Sequence, residues 1–407
     1  MNNNMDDGEL YFVDSVKYFA PEIFVARLLK QREYSYLADE LNIAISPRQV
    51  NKNLISYYIE KKKLSIRHDQ CSDNGLYDGA FVRIKRKDIK KIYSKKDFRD
   101  NTLKYFIDLR EVNLTCEYAY ENKLPPELKK QKYKKIKEDY TSFDLLSLPQ
   151  NSNHQKPKLY CFDVGQGDLS LFISSEGHAF IVDTHITQKH KKNTLTELKK
   201  LLDRRPIEAL ILTHRHYDHY CGAYLLLKDN DLKINSVIIN QSFLEPSRPN
   251  QVDKLLQLAE KKSKIISLLH FLLIKDGATR LFFSFHHGNI DENDNSTLLQ
   301  IYYQNKLYYL TGDMGYETLE KERLEDFYTQ IVLKVSHHGS KTGTSEKFLR
   351  KLVYSPCIYN NSAVFSRNAF ISYGINNRYG HPHDECIELL NKEGFKIIFP
   401  NKNYITF

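Results

Sequence analysis

Short apolar runs alternate with stretches of helical periodicity in the C-terminal part of the chain. Residues 159–164, 170–173 and 180–182 are apolar runs bounded by Gly, Asp or Ser, and each predicts a strand of one sheet. Residues 195–202 have the spacing of a helix, and residues 209–212 form the next apolar run. This alternation predicts a layered α/β domain.

The alternation continues toward the C-terminus. Residues 296–304 and 307–311 lie on either side of a short polar turn and predict a hairpin. Residues 316–330 have helical periodicity, and residues 331–335 predict another strand. Because loops at strand ends meet at one edge of such a fold, we expect functional side chains at that edge.

The N-terminal part has a different pattern. Residues 36–41 predict a short helix, Ser46-Pro47-Arg48 an N-cap followed by proline in a first turn, and residues 49–61 a second helix. Two strand-like stretches follow at residues 64–67 and 80–84. Helix, turn, helix and hairpin in this order resemble a winged helix, whose second helix could enter a major groove. A small α+β domain that docks a partner protein would show the same pattern.

A polar, proline-flanked run at residues 148–157 predicts a domain boundary. We expect a smaller, basic α+β domain over residues 1–156 and a second domain over residues 157–407. Residues 1–156 contain 29 Lys and Arg against 23 Asp and Glu, which is +6 of the total formal charge of +9. Such charge runs are most often solvated faces, and the alternative is a nucleic-acid footprint. The candidate nucleic-acid contacts are Arg83, Lys85, Arg86 and Lys87.

Composition also bears on location. No stretch approaches the roughly 18 uninterrupted apolar residues that a membrane helix needs, and the first residues lack the basic and apolar regions of a signal peptide. We therefore expect a soluble, cytoplasmic protein without a membrane partner. The 6 cysteines are scattered and form no Cys-x-x-Cys pair, which favours free thiols over disulfides.

One short run carries the strongest chemical signal. His214, His216, Asp218 and His219 follow the apolar run at residues 209–212, so four potential metal ligands occupy a bend between a strand and a loop. Two cations roughly 3.5–4 Å apart could hold a hydroxide and make it a nucleophile at neutral pH. The run therefore predicts a metal centre that catalyses hydrolysis.

The motif His-x-His-x-Asp-His resembles the signature of the metallo-β-lactamase superfamily. Further segments occur in that family's order at residues 159–168, 181–184, 310–313, 334–342 and 376–383. Among them, Asp-Val-Gly-Gln-Gly-Asp, His-His-Gly-Ser and Asn-Arg-Tyr-Gly-His-Pro together resemble the ComEC-type branch, named for the hydrolase domain of bacterial DNA-uptake channels. The resemblance covers about residues 157–407 and implies an αββα sandwich of two β-sheets with helices outside.

The resemblance also implies a ligand set. His214 and His216 would hold one cation, Asp218 and His219 the other, and Asp313 would bridge both.

The adjacent His337 and His338 follow a strand, so their side chains should point in different directions. We expect His338 to be a ligand and His337 a general acid or a phosphate contact. Many relatives have a third histidine between the signature and the bridging aspartate. His286 and His287 lie in that region, but no motif fixes them, so one cation could be weakly bound or absent.

We also expect residues that hold the metal ligands in place or contact the substrate. Asp183 resembles the family's aspartate that fixes the metal loop by hydrogen bonds. The other residues expected to support the centre or contact substrate are Asp163, Gln166, Asp168, Ser340, Lys341 and Arg378.

These observations favour metal-dependent phosphodiester hydrolysis, with nucleic acid as the substrate and a metal-bound hydroxide as the nucleophile. Asp218, His337 and His381 are the expected catalytic residues, and one or two Zn²⁺ or Mn²⁺ ions fit the ligand types. Two alternatives remain. The same centre could hydrolyse a small phosphodiester such as a cyclic nucleotide or a phosphocholine ester, or the chain could be a regulated effector or sensor whose N-terminal domain binds nucleic acid or a partner protein.

Overall fold

The computed structural model describes residues 8–20, 23–30, 40–55 and 75–85, short pieces between residues 88 and 149, and most of residues 155–407. The gaps in this last range are residues 188–189, 246–248, 269–270, 287–288, 290, 355–363, 376, 378 and 400–402. The chain divides into two compact units. Unit 1 comprises Met1–Lys135, Leu244–Leu256 and Ile290–Glu292, and unit 2 comprises Ile136–Phe243, Gln257–Asn289 and Asn293–Phe407.

Unit 1 contains a five-stranded sheet in the order β4-β1-β2-β3-β5. Its strands are β1 (Glu9–Ala20), β2 (Ile23–Lys30), β3 (Glu40–Ile45), β4 (Phe81–Ile84) and β5 (Ile107–Asp108). The runs Tyr11-Phe12-Val13 and Ile23-Phe24-Val25 are rich in the aromatic and β-branched residues that favour strands.

The winged-helix comparison does not fit this sheet, because the described part of unit 1 is mainly β. Glu40 and Leu41, which were expected to end a helix, begin β3 instead, since Leu41 pairs with Leu28 on β2. The predicted cap at Ser46 opens a short 3₁₀ helix, Pro47–Gln49, and residues 52–55 are helical. The strand expected at residues 80–84 is present as β4, whereas residues 64–67 lie outside the described residues.

Unit 2 contains two eight-stranded sheets, in the orders β21-β8-β9-β10-β11-β12-β13-β6 and β20-β19-β18-β17-β16-β15-β14-β7. The strands of the first sheet are β6 (Tyr140–Thr141), β8 (Lys158–Phe162), β9 (Ser170–Ile173), β10 (Ala179–Val182), β11 (Ile207–Ile211), β12 (Ile234–Asn240), β13 (Lys264–Leu268) and β21 (Tyr404–Thr406). Those of the second are β7 (Asp144–Ser147), β14 (Phe271–Asp276), β15 (Thr279–Phe285), β16 (Thr297–Tyr303), β17 (Lys306–Leu310), β18 (Gln330–Lys334), β19 (Ser366–Phe370) and β20 (Lys396–Ile398). The predicted boundary near residue 156 stays a prediction.

The two sheets of unit 2 share one apolar core. Phe172 and Phe180 of the first sheet belong to the same buried cluster as Phe283 and Tyr308 of the second, and the Phe172 and Tyr308 rings lie 5.4 Å apart. A second cluster joins the outer face of the second sheet to helices. The predicted αββα sandwich is therefore confirmed.

The helices of unit 2 connect the strands. Their bounds are α1 (Lys191–Leu202), α2 (Tyr217–Tyr220), α3 (Ala223–Lys228), α4 (Asn250–Lys262, which begins in unit 1), α5 (Tyr316–Leu319), α6 (Glu346–Tyr354) and α7 (Asp384–Lys392). Short 3₁₀ helices occur at Gln241–Leu244 and Glu292–Asn295, and Ser336–Gly339 form a turn with left-handed backbone after β18.

The helix predicted over residues 316–330 is wrong beyond its first turn, because α5 ends at Leu319. Lys351, which is half-buried, supplies the reason. Its ammonium donates to the carbonyl oxygens of Leu319 and Glu320 at 3.2 and 3.1 Å. These contacts satisfy carbonyl groups that a longer helix would have used itself.

Parallel pairing places the loops that follow the strands at one edge. Val182 of β10 pairs with Ile211 of β11 in the first sheet, and Leu310 of β17 pairs with Lys334 of β18 in the second. Each of these four residues is the last of its strand. The segments that follow them contain the candidate ligands.

Candidate metal centre

Backbone geometry at the strand ends directs several of these side chains. Asp183 has a φ of 56°, Gly312 of 53°, His337 of 50° and His338 of 54°. Non-glycine residues seldom adopt this left-handed conformation, and it is retained at sites where surrounding contacts enforce it. Two successive left-handed residues turn the chain sharply after β18, so the side chains of His337 and His338 diverge.

Three residues form the first group of possible ligands: His214, His216 and Asp313. The Nε2 atom of His214 lies 3.0 Å from the Nδ1 atom of His216, and both side chains are buried. Burial and the neighbouring His219 hold the pKa of His214 well below its usual range. A neutral imidazole is the form that binds a metal.

The second group contains His219, His338 and again Asp313, together with Asp168. The Nδ1 atom of His219 lies 2.7 Å from Oδ2 of Asp183, and Nδ1 of His338 lies 3.0 Å from the carbonyl oxygen of Ser372. Such contacts fix which ring nitrogen carries the proton. They leave the Nε2 atoms of both histidines for a ligand.

These Nε2 atoms face carboxylate oxygens. His219 Nε2 lies 3.4 Å from Oδ1 of Asp313, and His338 Nε2 lies 3.6 Å from Oδ2 of the same residue. His338 Nε2 is also 3.8 Å from Oδ2 of Asp218. Asp313 therefore belongs to both groups, and its role as a bridging ligand stays a prediction.

The donor set fits a divalent cation. Within the part of the chain that the structure describes, His338 Nε2 is a buried atom without a hydrogen-bond partner, and the buried atoms His219 Nε2 and Asp313 Oδ1 face each other at 3.4 Å. Leaving such atoms unsatisfied away from water costs free energy, and a cation would remove that cost. Imidazole and carboxylate ligands in a buried cluster suit a divalent metal.

Asp183 supports the loop that carries these ligands. Its Oδ1 accepts a hydrogen bond from the backbone N–H of Thr213 at 2.8 Å, and its Oδ2 accepts one from the Thr213 hydroxyl at 2.8 Å. The same carboxylate contacts His219, as described above. Asp183 thus contacts both the backbone of the metal loop and one of the candidate ligands, and its supporting role stays a prediction.

Lys334 is a component of the centre that the sequence analysis missed. It is the last residue of β18, it is buried, and its ammonium pairs with Asp168. Burial lowers the pKa of Lys334, but the carboxylates of Asp168 and Asp313 outweigh burial and raise it. A lysine that ends an apolar strand of a buried sheet could have been recognised from sequence, because buried lysines need a charged partner.

His337, His381 and Gln166 form the more open side of the site. The His337 side chain is 16% exposed against 1% for His338, and its ring lies 5.3 Å from the ring of His381. Gln166 Nε2 lies 3.5 Å from His381 Nδ1. Burial, His337 and His338 hold the pKa of His381 well below its usual range, so this imidazole is neutral.

The structure describes three of the four remaining candidates, Asp163, Ser340 and Lys341. Asp163 is exposed and accepts a hydrogen bond from the Gly165 N–H at 3.4 Å, which is the contact of a turn residue. Ser340 and Thr342 share a hydrogen bond of 3.0 Å between their hydroxyls. Lys341 is exposed. Arg378 lies outside the described residues.

His286 has a partner outside the centre. Its Nε2 atom contacts a carboxylate oxygen of Glu322, and this hydrogen bond raises the pKa of His286. Among the described residues, His286 is in neither group of possible ligands, and His287 is not described.

Two of the four proposed nucleic-acid contacts are described. Arg83 is a partly buried residue of β4, and Lys85 is exposed directly after that strand. Arg86 and Lys87 lie outside the described residues.

Comparisons with known proteins agree with this geometry. The model of the metallo-β-lactamase superfamily matches residues 163–356. ComE operon protein 3 of Bacillus subtilis is 29% identical over an alignment that covers 59% of this chain and 31% of that protein. Recombination protein 2 of Haemophilus influenzae is also 29% identical, over 56% of this chain and 26% of that protein. The chain thus spans less than a third of the length of these relatives.

A structural comparison gave a weaker likeness. A mutant of the CmlA β-hydroxylase aligns with 62% of this chain and 54% of its own, at 12% sequence identity and a TM-score of 0.38. A similarity of this size supports no argument about function.

The prediction of a cytoplasmic protein is wrong in the light of the relatives. The two relatives, ComE operon protein 3 and Recombination protein 2, are ComEC-like, and that branch is named for the hydrolase domain of bacterial DNA-uptake channels. The prediction relied on the absence of a long apolar run, but a protein can also be held at a membrane by other contacts. The described helices include none that is both long and apolar enough to cross a membrane.

Proposed function

Residues 163–356 form a metallo-β-lactamase superfamily domain, and from this premise we propose that the chain is a metal-dependent phosphodiester hydrolase that acts on nucleic acid. The observation that carries the proposal is the arrangement around Asp313. One buried carboxylate stands between two groups of histidines, and a third, more open set of side chains lies beside them. This arrangement offers cation binding and substrate contact side by side.

A divalent cation, zinc or manganese, would polarise a phosphoryl oxygen and activate water as the nucleophile. His214, His216, Asp218, His219, Asp313 and His338 would hold it. The chain's resemblance to the ComEC-like branch, named for the hydrolase domain of bacterial DNA-uptake channels, favours nucleic acid over a small ester as the substrate.

His337 is the best-placed proton donor. Its Nε2 atom lies 3.9 Å from Oδ2 of Asp313, and its side chain is more exposed than that of His338. Asp313 would stabilise the protonated ring, which could then donate a proton to the leaving oxygen.

His381 suits a different task. Its low pKa keeps it neutral, so it would orient substrate by a hydrogen bond while Gln166 holds its ring. The exposed Lys341 would contact phosphate.

The test compares substrates on one metal-loaded preparation. Single- and double-stranded DNA, RNA and cyclic nucleotides would be incubated with the wild type, with His216→Ala and with His286→Ala as a histidine control outside both ligand groups. We expect the wild type and His286→Ala to cleave a polynucleotide, and His216→Ala to be inactive. Turnover of cyclic nucleotides alone would mean that the substrate is a small phosphodiester and not a polynucleotide. If the metal-loaded protein turns over none of these phosphodiesters, the proposed hydrolase activity is refuted.

We further propose that the N-terminal basic excess raises the local concentration of a polynucleotide. Replacing Arg83, Lys85, Arg86 and Lys87 by alanine should weaken polymer binding and flatten its salt dependence, because fewer counterions are released. Turnover of a small chromogenic phosphodiester should not change. Unaltered polymer binding at low salt would identify these residues as a solvated face.

A further inference from the structure

Lys334 and Asp168 form an ion pair that cation binding by itself does not require. Both side chains are buried, and the Lys334 ammonium contacts Oδ2 of Asp168. The ammonium also donates to the carbonyl oxygen of Gly312 at 3.2 Å and lies 3.8 Å from Oδ1 of Asp313. A fixed positive charge therefore stands beside the carboxylate that both ligand groups share.

Asp168 lies on the Nδ1 side of two candidate ligands, His219 and His338. Its Oδ2 lies 3.7 Å from Nδ1 of His219, and its Oδ1 lies 3.8 Å from Nδ1 of His338. Those Nδ1 atoms also contact Asp183 and the Ser372 carbonyl, so the Nε2 atoms on the opposite side of each ring remain for a cation. Asp168 is near enough to join the ligands, but it stands on the wrong side of both rings.

The position of Lys334 has two electrostatic consequences of the same sign. Its charge repels a divalent cation in an environment of low dielectric constant, where such effects are large. It also holds and neutralises Asp168, which would otherwise add negative charge to the centre. Both effects reduce the attraction of the centre for metal.

We propose that the Lys334–Asp168 pair sets the cation affinity of the centre. Lys334 is a positioning residue that keeps Asp168 behind His219 and His338 and limits the negative charge offered to the metal. The inference rests on the metal-binding part of the proposed function and is independent of the substrate.

The direction in which a substitution changes the metal affinity distinguishes this role from simple support of the histidines. Loss of an outer supporting residue ordinarily weakens metal binding by about 10- to 100-fold. Lys334→Met removes the ammonium and keeps the length of the chain, and we expect it to strengthen binding by at least about tenfold. Asp168→Asn leaves the ammonium without its carboxylate and should weaken binding by at least about tenfold. The double variant should return to within about threefold of the wild type, because both charges are then absent.

The experiment titrates full-length, metal-free protein with Mn²⁺ by calorimetry and with Zn²⁺ by chelator competition. Lys334→Arg keeps the charge, and Lys306→Met is a matched control on the same sheet, where the ammonium lies 4.6 Å from the Tyr308 ring centre. Both should bind metal within about threefold of the wild type. Thermal unfolding by circular dichroism, with and without metal, checks that each variant is folded.

Weaker or unchanged binding by folded Lys334→Met would overturn the proposal and leave the rest of the metal centre intact. If Lys334→Met does not fold, the double variant decides, and an affinity more than about tenfold below that of the wild type would likewise overturn the proposal. Failure of the wild type to bind either cation would refute the metal-dependent function itself.

Discussion

The two units bury charge in opposite ways. In unit 1, Arg27 of β2 and Asp14 of β1 are both buried, and their charged groups meet at 2.6 Å. Among the described residues of unit 2, the centre buries four carboxylates, those of Asp168, Asp183, Asp218 and Asp313, beside the ammonium of Lys334 and the guanidinium of Arg215. The first arrangement is neutral by itself. The second has an excess of negative charge and of imidazole donors, which calls for a cation.

This difference shows how buried charge can indicate function. A balanced pair stabilises a fold only if its geometry offsets desolvation, and its loss is a matter of stability. An unbalanced cluster is costly in the absence of a ligand, so its retention points to binding. Substitutions at the pair in unit 1 should therefore lower the free energy of unfolding, whereas substitutions at the centre in unit 2 should lower the metal content.

The largest expected effect is at Asp313. Asp313→Asn removes the carboxylate common to both ligand groups, so metal content and turnover should both be lost while the fold remains. Elemental analysis, a turnover assay and circular dichroism measure the three properties. Asp218→Ala should behave in the same way. A collapse of the fold in either variant would instead make the metal a structural element.

The adjacent histidines should separate metal binding from proton transfer. His338→Ala should lose metal, because its Nε2 atom faces the carboxylates of Asp218 and Asp313. His337→Ala should keep metal and lose turnover by about 10²–10⁴-fold, the range of general acid catalysis. The opposite pattern would exchange their roles, and equal loss of metal would make both residues ligands.

The balanced pair of unit 1 should affect stability alone. Arg27→Met removes the buried guanidinium that pairs with the Asp14 carboxylate, and we expect a loss of about 3–5 kcal/mol in the free energy of unfolding. The double variant Asp14→Leu, Arg27→Met should recover most of that loss. Denaturant unfolding gives the free energies, and metal content serves as the control. A loss of metal in Arg27→Met would break the distinction between the units.

The smallest expected effect concerns His286. Its folded-state pKa is raised by Glu322, so the pair stabilises the fold fully below the usual histidine pKa of about 6.5 and loses this contribution as the pH rises through the raised value. The side chain is 42% exposed, which limits the contribution to within about 1 kcal/mol.

His286→Asn should therefore flatten the pH dependence of stability above about pH 6.5 and leave the metal content unchanged. Unfolding measured at several pH values tests the first part. Loss of metal would mean that His286 reaches the centre after all.

Local patterns predicted much of unit 2. The run from His214 to His219 lies on one bend, so its ligands could be recognised without knowing the fold, and the apolar runs before Asp313 and His337 predicted that these residues follow strands. The helix over residues 316–330 failed because Lys351, which is distant in sequence, satisfies the carbonyl groups at its first turn. In unit 1, the long strands β1 and β2 were missed, and the pairing of Leu41 on β3 with Leu28 on β2 replaces the end of the helix expected over residues 36–41.

The sequence by itself determined which ligand types this chain has and that they follow buried strands, because both follow from short-range spacing and periodicity. Only the tertiary structure decided which nitrogen of His219 and His338 faces the shared carboxylate, since the opposite nitrogen is fixed by Asp183 and Ser372 from other segments. It also decided that Lys334 meets Asp168. Long-range ion pairs depend on how the two sheets pack, and no local pattern encodes that packing.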